Sequence, residues 1–235
     1  MKKINVSDLD EKTLLSVFDV AFLKPEATYQ DLEFFLKDAI KYEVGNVCVK
    51  PSFLKRTIEI LGNTSITPST VISFPHGAST TYTKQKEAED AVNIGAKELD
   101  MVMDIGAFKS GDYKKIEADI KAVKSTSVLV KVIVETHYLT EDEKKKIAKL
   151  VRDSGADYIK TSTGFAPSGA KVEDVKLFYK LVGESIGIKA SGGIRTLEDV
   201  LSFLDAGATR IGVSKFIPIL EEFKNKQNKK FEKSV

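Results

Sequence analysis

Eight short apolar runs, rich in Val, Ile and Leu, recur along the chain. Polar residues or glycine bound each run, which is typical of strands buried on both faces of a parallel sheet. The predicted strands are Val17–Phe22, Asn46–Val49, Thr70–Phe74, Glu98–Val102, Val128–Glu135, Tyr158–Lys160, Ile186–Lys189 and Arg210–Val213.

Amphipathic segments separate these strands. Residues Tyr29–Tyr42, Thr140–Ser154 and Leu197–Ala206 place apolar side chains three and four positions apart, which predicts helices that bury one face. The second segment opens on Thr-Glu-Asp-Glu, which resembles a capping box. Several helical segments end in a glycine that supplies the left-handed residue needed to turn toward the next strand. These glycines are Gly95, Gly155 and Gly207.

Eight strand–helix units with no linker between them fit within 235 residues. This number favours an α/β fold, a single (β/α)8 TIM barrel spanning residues 1–235, over an open doubly wound sheet. Neither a G-x-G-x-x-G segment after the first strand nor a Walker A motif is present, which weakens the nucleotide-binding alternative. Residues 224–235 are mostly Lys, Asn, Gln and Glu, so we expect a polar C-terminal tail.

Composition argues against several classes of function. The net charge is only +2 and no basic stripe stands out, so we expect no nucleic-acid partner. No segment approaches the ~18 apolar residues that span a membrane, and no secretory signal follows Met1. Cys48 is the single cysteine, which excludes an internal disulfide and favours a reducing compartment. His76 and His137 lie far apart, which argues against a His-rich metal centre, although carboxylates alone could hold Mg²⁺.

Active sites of such barrels lie at the carboxyl ends of the strands, so polar residues that end or interrupt the apolar runs are candidates. They are Asp19, Cys48, Asp100, Lys131, Glu135, Lys160 and Lys189. Lys160 and Lys189 end consecutive strands. Burial lowers the pKa of an ammonium group, and a second lysine nearby lowers it further. One amine would then be neutral and able to form a Schiff base, but the spacing does not decide which.

The alternative interpretation of these lysines is that their ammonium groups simply lie in solvent. Only four of the 36 basic residues are Arg, so lysine is abundant and a single lysine at a strand end carries little information. We interpret Asp100 as a proton shuttle beside an imine, with a structural ion pair as the alternative. Lys131 and Glu135 share one face of the fifth predicted strand, so we expect a supporting charge network below the reactive lysine. Cys48 is typical of a small buried hydrophobe rather than a nucleophile.

Glycine-rich segments follow the last predicted strands, where barrels commonly bind phosphate through bare backbone N–H groups. The candidates are Gly164, Gly192, Gly193, Gly212 and Ser214. The alternative is that these segments are tight turns only. A neutral lysine, a carboxylate and a phosphate site together predict carbon–carbon bond chemistry on a phosphorylated aldehyde or sugar. The imine would act as the electron sink, so we expect no metal and no cofactor.

Several blocks of sequence resemble the deoxyribose-phosphate aldolase family over nearly the whole chain. The blocks are Leu23–Pro25, Val47–Val49, Phe74–Ala78, Glu98–Val102, Ile105–Ala107, Lys109–Tyr113, Lys131–Thr136, Asp157–Phe165 and Lys189–Thr196. The Lys-Thr-Ser-Thr-Gly block together with the Lys-Ala-Ser-Gly-Gly block is highly specific. The resemblance implies a class I aldolase that reversibly cleaves 2-deoxy-D-ribose 5-phosphate to D-glyceraldehyde 3-phosphate and acetaldehyde.

By position, the resemblance implies that Lys160 forms the Schiff base. It implies that Lys189 lowers the pKa of Lys160 and assists proton transfer, and that Asp100 donates and accepts protons with a water molecule. It further implies a substrate pocket and phosphate site, formed by Cys48, Asp19, Gly164, Gly192, Gly193, Gly212 and Ser214. A cytoplasmic enzyme of deoxyribonucleotide catabolism, often a homodimer, is implied as well.

The first strand departs from the family pattern. Many relatives have Asp-His-Thr-Leu-Leu-Lys-Pro, whereas this chain has Val20 and Ala21 in place of the His and Thr. Those positions lie near substrate hydroxyls in the family, so a Schiff-base aldolase for a different phosphosugar is an alternative. Some relatives also use a C-terminal Tyr in proton transfer, and this chain has no Tyr after Tyr179. A third hypothesis is a non-catalytic barrel that keeps the phosphate site.

Overall fold

Eight parallel strands form a closed barrel in which each strand pairs with the next and the last pairs with the first. The computed structural model describes the backbone of residues 1–232 and the side chains of residues 1–228. The strands are β1 (Phe18–Phe22), β2 (Asn46–Val49), β3 (Thr67–Ile72), β4 (Glu98–Val102), β5 (Leu129–Ile133), β6 (Tyr158–Lys160), β7 (Gly187–Ser191) and β8 (Arg210–Val213). The predicted (β/α)8 architecture is confirmed.

Helices surround the barrel and return the chain to the start of each following strand. They are α1 (Glu11–Ser16), α2 (Tyr29–Lys41), α3 (Leu54–Leu61), α4 (Thr81–Ile94), α5 (Ile105–Lys109), α6 (Tyr113–Lys124), α7 (Glu141–Asp153), α8 (Val172–Val182), α9 (Leu197–Asp205) and α10 (Ile217–Glu232). None of these helices is both long enough and apolar enough to cross a lipid bilayer.

Local signals in the sequence set several helix boundaries. Thr140 and Glu143 form the predicted capping box at the start of α7, and equivalent boxes open α2 and α9. The three glycines predicted to turn the chain toward a strand have φ angles of 123°, 85° and 111°, at Gly95, Gly155 and Gly207 respectively.

Two strands end earlier than the apolar pattern predicts. β3 stops at Ile72 because Ser73 has a positive φ of 53°, and β5 stops at Ile133, with Glu135 at a φ of 49°. These left-handed residues break the extended backbone that a ladder requires. Glu135 is therefore not part of the fifth strand, contrary to the sequence prediction.

Alternation along the strands divides side chains between two compartments. Leu99, Val130 and Ile159 belong to the apolar layer between strands and helices. Their neighbours Lys131 and Lys160 point the other way, into the barrel interior, because successive side chains of a strand face opposite sides. The interior is therefore lined in part by charged groups.

The polar C-terminal segment begins within a helix. Residues 224–232 continue α10, and Lys224 forms an ion pair with Glu11 at 2.9 Å. Residues 233–235 of the predicted tail lie outside the described residues.

Candidate active site

Two buried lysines meet on one carboxylate in the barrel interior. Lys160 of β6 and Lys189 of β7 are direct register partners, and their residues are only 3% and 1% exposed. Each Nζ donates a hydrogen bond to Oδ2 of Asp100, and both distances are 2.7 Å. The structure therefore brings together the three residues that the sequence singled out for chemistry, and neither ammonium group lies in solvent.

The two lysines differ in their electrostatic surroundings. Burial lowers the pKa of Lys160; Asp100 opposes this effect and Lys189 adds to it, so that the pKa lies below its ordinary value. Burial acts on Lys189 in the same direction, but Asp100 and Asp19 outweigh it and raise its pKa. Lys160 is thus the amine that loses its proton more readily, a choice that the spacing left open.

Asp100 remains a charged carboxylate in this setting. Burial alone would raise its pKa, but Lys131, Lys160 and Lys189 together hold the pKa well below the ordinary value of 3.8. An ionised carboxylate accepts hydrogen bonds and takes up protons rather than donating them. Asp100 is therefore a charged hydrogen-bond acceptor in direct contact with the amine of Lys160.

A second layer of charges lies around Lys131. Its Nζ is 2.9 Å from Oδ1 of Asp100, 2.5 Å from Oε2 of Glu98 and 3.3 Å from Oδ2 of Asp19. Arg210 pairs with Asp19 and also donates to Oε1 of Glu98 at 2.6 Å. Sequence reasoning missed the roles of Glu98 and Arg210. Glu98 shares the inward face of β4 with Asp100, but nothing in the sequence distinguishes Arg210 from other charged residues at strand starts.

Glu135 lies outside this layer, which corrects the expectation that it supports the lysines together with Lys131. Its Oε2 accepts hydrogen bonds from the backbone N of Thr163, at 3.0 Å, and from the Thr163 hydroxyl. The left-handed backbone at Glu135 ends the alternation that would have placed it on the same face as Lys131.

A cavity of about 340 Å³ opens above the lysine pair. Its walls include both lysines and all five residues predicted to bind phosphate, which are Gly164, Gly192, Gly193, Gly212 and Ser214. Lys24 and Arg195 also line it, and sequence reasoning did not assign either to the site. Arg195 follows the Gly192–Gly193 pair by two residues, and this proximity is the signal that could have found it. The cavity is of a size typical for small-molecule sites.

Two glycines of the wall leave little room for a side chain. A Cβ at Gly192, which has a φ of 89°, would lie 3.0 Å from the Cα of Gly169. A Cβ at Gly212 would lie 2.1 Å from Oγ of Ser191. The wall at these points is bare backbone, which a phosphate group can approach closely.

The model of the DeoC/LacD family of aldolases matches residues 8–215. The chain belongs to this family. It is therefore a carbon–carbon lyase with the barrel fold, as the sequence predicted.

Relatives of the aldolase match over nearly their full lengths. Deoxyribose-phosphate aldolase of a Thermoanaerobacter species is 48% identical over 215 residues, which cover 89% of this chain and 96% of the relative. The enzyme of the same name from Staphylococcus carnosus is 46% identical over 205 residues, covering 86% and 93%. Tetrameric deoxyribose phosphate aldolase from Aeropyrum pernix has a solved structure with a TM-score of 0.84, 30% identity and 92% coverage of each chain. Another solved aldolase is 41% identical, with a TM-score of 0.87 and coverage of 91% and 97%.

Two residues assigned to the substrate pocket of this aldolase do not form its wall. Neither Cys48 nor Asp19 is among the described residues that line the cavity; both are fully buried. Burial raises the pKa of the Cys48 thiol, and the nearby carboxylate of Asp100 raises it further. Asp19 instead accepts a hydrogen bond from Lys189 at 2.5 Å. Both side chains face the interior of the barrel beneath the cavity. Alternation along a strand predicts that a side chain faces inward, but it does not show whether the side chain lies at the mouth of the barrel or deeper.

The two altered positions of the first strand have different surroundings in the aldolase. Ala21 lines the cavity, whereas Val20 packs in the apolar layer behind β1. Only the replacement at Ala21 therefore changes the cavity wall directly.

Within the described part of the chain, no group of three or more His, Cys, Asp or Glu side chains is placed to hold a metal ion. Asp19, Glu98 and Asp100 are instead occupied by lysine and arginine partners.

Proposed function

We propose that this aldolase is a class I enzyme that cleaves 2-deoxy-D-ribose 5-phosphate reversibly to D-glyceraldehyde 3-phosphate and acetaldehyde. The observation that carries the proposal is the pair of buried lysines on Asp100, directly beneath a cavity walled by glycine-rich loops. Relatives that are deoxyribose-phosphate aldolases at 46–48% identity support the choice of substrate.

In the proposed mechanism, the neutral amine of Lys160 attacks the C1 aldehyde of the open-chain sugar. Loss of water gives a protonated imine. The C3 hydroxyl then loses its proton, the C2–C3 bond breaks, and its electron pair moves to C2 and the imine, forming an enamine. Glyceraldehyde 3-phosphate leaves at this stage. Protonation of C2 and hydrolysis of the imine release acetaldehyde and restore Lys160.

Asp100 would accept the proton from the C3 hydroxyl through a water molecule and return it to C2. Its low pKa keeps it ionised, so that a proton taken up from the hydroxyl is readily passed on, and its contact with Lys160 would stabilise the positive imine. Lys189 would repel a proton from Lys160 and assist the transfers. The glycine loops with Gly164, Gly192, Gly193, Gly212 and Ser214 would bind the phosphate through backbone N–H groups.

An alternative within the same chemistry is a different phosphosugar. Ala21 supports it, because the cavity wall carries a methyl group where many relatives have a threonine hydroxyl. Comparison of kcat/KM for 2-deoxy-D-ribose 5-phosphate with that for D-ribose 5-phosphate and other phosphosugars decides between the two. A higher value for another sugar would favour the alternative.

From the family resemblance we also expect a cytoplasmic enzyme of deoxyribonucleotide catabolism that needs no metal. We expect a homodimer, although the relative from Aeropyrum pernix is described as a tetramer. Size-exclusion chromatography with light scattering tests the oligomeric state, and activity in the presence of a chelator tests the metal requirement.

Borohydride trapping tests the Schiff base directly. The protein is incubated with acetaldehyde or with 2-deoxy-D-ribose 5-phosphate, reduced and digested, and the modified peptide is located by mass spectrometry. We expect an adduct on Lys160 with both ligands, because its pKa is the lower of the two lysines. Lys160→Ala should abolish both the adduct and turnover.

The other possible results of the trapping experiment each favour a different hypothesis. An adduct with acetaldehyde alone keeps the mechanism and favours a different phosphosugar. An adduct on Lys189 would reverse the roles of the two lysines. Phosphate binding by the folded protein without any adduct would favour the non-catalytic barrel.

A further inference from the structure

Glu135 has an unusual backbone for a residue with a side chain. Its φ of 49° and ψ of 71° lie in the left-handed region, which non-glycine residues rarely adopt. The residue is also 2% exposed. Buried, strained positions of this kind persist only where the surrounding structure fixes them, and they cluster near functional sites.

Backbone hydrogen bonds hold Glu135 against the end of β6. The N–H of Val134 donates to the carbonyl of Lys160 at 3.0 Å, and the N–H of Thr136 donates to the carbonyl of Thr161 at 2.9 Å. The residues on either side of Glu135 are thus hydrogen-bonded to Lys160, the last residue of β6, and to Thr161, which follows it. The position of Glu135 relative to Lys160 is fixed by these bonds.

The side chain of Glu135 then fixes the loop that follows β6. Its Oε2 accepts hydrogen bonds from both the N–H and the hydroxyl of Thr163, and Oγ1 of Thr163 accepts one from the N–H of Phe165 at 3.0 Å. Gly164 lies between these two anchored residues and lines the cavity. Oε1 of Glu135 accepts no hydrogen bond from any residue that the structure describes, so the carboxylate is engaged with Thr163 alone.

We propose that Glu135 is a positioning residue that sets the distance between the phosphate-binding loop at Gly164 and the amine of Lys160. This proposal rests on the proposed function, since it assumes that the loop at Gly164 binds the phosphate of the substrate. Glu135 acts through Thr163 and does not line the cavity. Its loss should weaken binding of the phosphate and leave the chemistry at Lys160 largely unchanged.

The test compares a phosphorylated and an unphosphorylated substrate of the same sugar. For Glu135→Ala we expect KM for 2-deoxy-D-ribose 5-phosphate to rise about tenfold, as for loss of one or two hydrogen bonds, with little change in kcat. The inhibition constant of inorganic phosphate, measured against cleavage of 2-deoxy-D-ribose, should rise in parallel. The kcat/KM for 2-deoxy-D-ribose itself should stay within about a factor of two of the unmodified enzyme.

Matched variants separate positioning from folding. Glu135→Gln keeps an oxygen that can accept both hydrogen bonds from Thr163, so it should restore most of the phosphate affinity. Glu135→Gly suits the left-handed backbone and lacks the carboxylate, so it replaces Glu135→Ala if that variant does not fold. It should show the same selective loss.

The proposal is overturned if Glu135→Ala or Glu135→Gly impairs both substrates equally, or changes neither. It is also overturned if the unmodified enzyme has no preference for the phosphorylated sugar and no inhibition by phosphate. In that last case the proposed function fails at the same time, and the failure is recognised before any variant is made.

Discussion

At the residue scale, the difference between the two lysines is a difference in partners. The ammonium group of Lys160 touches one carboxylate, Asp100, whereas that of Lys189 touches both Asp100 and Asp19. Each buried carboxylate stabilises the charged form of the lysine it contacts. The lysine with fewer carboxylates is therefore the more readily neutral one, and this inequality assigns the roles of nucleophile and neighbour.

Removal of Lys189 should shift the pH dependence of the reaction. In Lys189→Leu, Lys160 loses a repelling charge and no longer shares the carboxylate of Asp100 with a second lysine, so the pKa of Lys160 should rise. Because the neutral amine exists above its pKa, the rising limb of kcat/KM against pH should move to higher pH. The profile is measured from about pH 5 to pH 10.

A surface variant provides the control for this profile. Lys114 is exposed on α6, so Lys114→Leu should leave the limb where it is in the unmodified enzyme. An unshifted limb in Lys189→Leu would contradict the coupling of the two lysines.

Regular alternation decided which residues could be placed from the sequence alone. Lys131 and Lys189 lie within regular strands and Lys160 ends one, so their burial on one face could be predicted. Glu135 could not, because one left-handed residue redirects its side chain toward Thr163. The role of Arg210 was missed because its carboxylate partners lie far away in the sequence.

At the element scale, the glycines at the ends of β7 and β8 control how closely these strands approach. Gly212 is the register partner of Ser191. In Gly212→Ala, the new methyl group would lie 2.1 Å from Oγ of Ser191 and 3.3 Å from Cε of Lys189, so both side chains must move. We expect activity to fall about a hundredfold, because misplacing a catalytic group by ~1 Å has an effect of that size. Steady-state kinetics measures the loss.

Thermal unfolding distinguishes this effect from general damage. Overpacking of this kind costs about 1–3 kcal/mol, so Gly212→Ala should remain folded at assay temperature. Gly106→Ala is the control, because its new methyl group in α5 would meet only Oδ1 of Asp104, at an ordinary 3.6 Å. It should keep full activity. Similar activities in the two variants would contradict a role for close packing at Gly212.

The elements themselves were largely predictable, and the exceptions have a common cause. β2, β4, β6 and β8 have the predicted bounds; a polar residue ends or directly follows the apolar run in β2, β6 and β8, whereas Met103 follows β4. β3 ends directly before the left-handed Ser73 and β5 ends shortly before the left-handed Glu135, and both residues are of types that usually adopt negative φ. β7 extends to Ser191, since small polar residues also continue a strand when neighbouring strands pair with them.

At the scale of the whole molecule, the charged interior should contribute strongly to stability. Lys131 is fully buried and contacts three carboxylates, which outweigh the effect of burial and raise its pKa. Lys131→Met would leave Asp19, Glu98 and Asp100 short of a partner. We expect the free energy of unfolding, measured with urea, to fall by about 3–5 kcal/mol, as for other broken buried ion pairs.

A lysine at the protein surface is the matched control for this stability measurement. Lys145 forms ion pairs with Glu141 and Asp142 on the surface of α7, where water screens the charges. Lys145→Met should unfold at the same urea concentration as the unmodified protein. Equal stability of both variants would indicate that the interior charges contribute nothing to folding.

The barrel could be predicted from the count of strand–helix units, whereas the interior network could not. Lys189 and Asp19 are 170 positions apart in the sequence and meet only because β8 pairs with β1 and closes the sheet. The pattern along one strand shows which face is buried. It carries no information on which side chain lies opposite across a closed barrel.

The shared ion pairs of the interior have a consequence for how this protein evolves. Asp19 has three cationic partners and Asp100 has three, so one substitution removes an ion-pair partner from several buried charges at once. A loss of several kcal/mol approaches the whole stability of a typical domain. Accepted changes must then come as compensating pairs, which arise rarely. We therefore expect descendants to inherit the interior as one unit, while new substrate preferences arise in the loops above it.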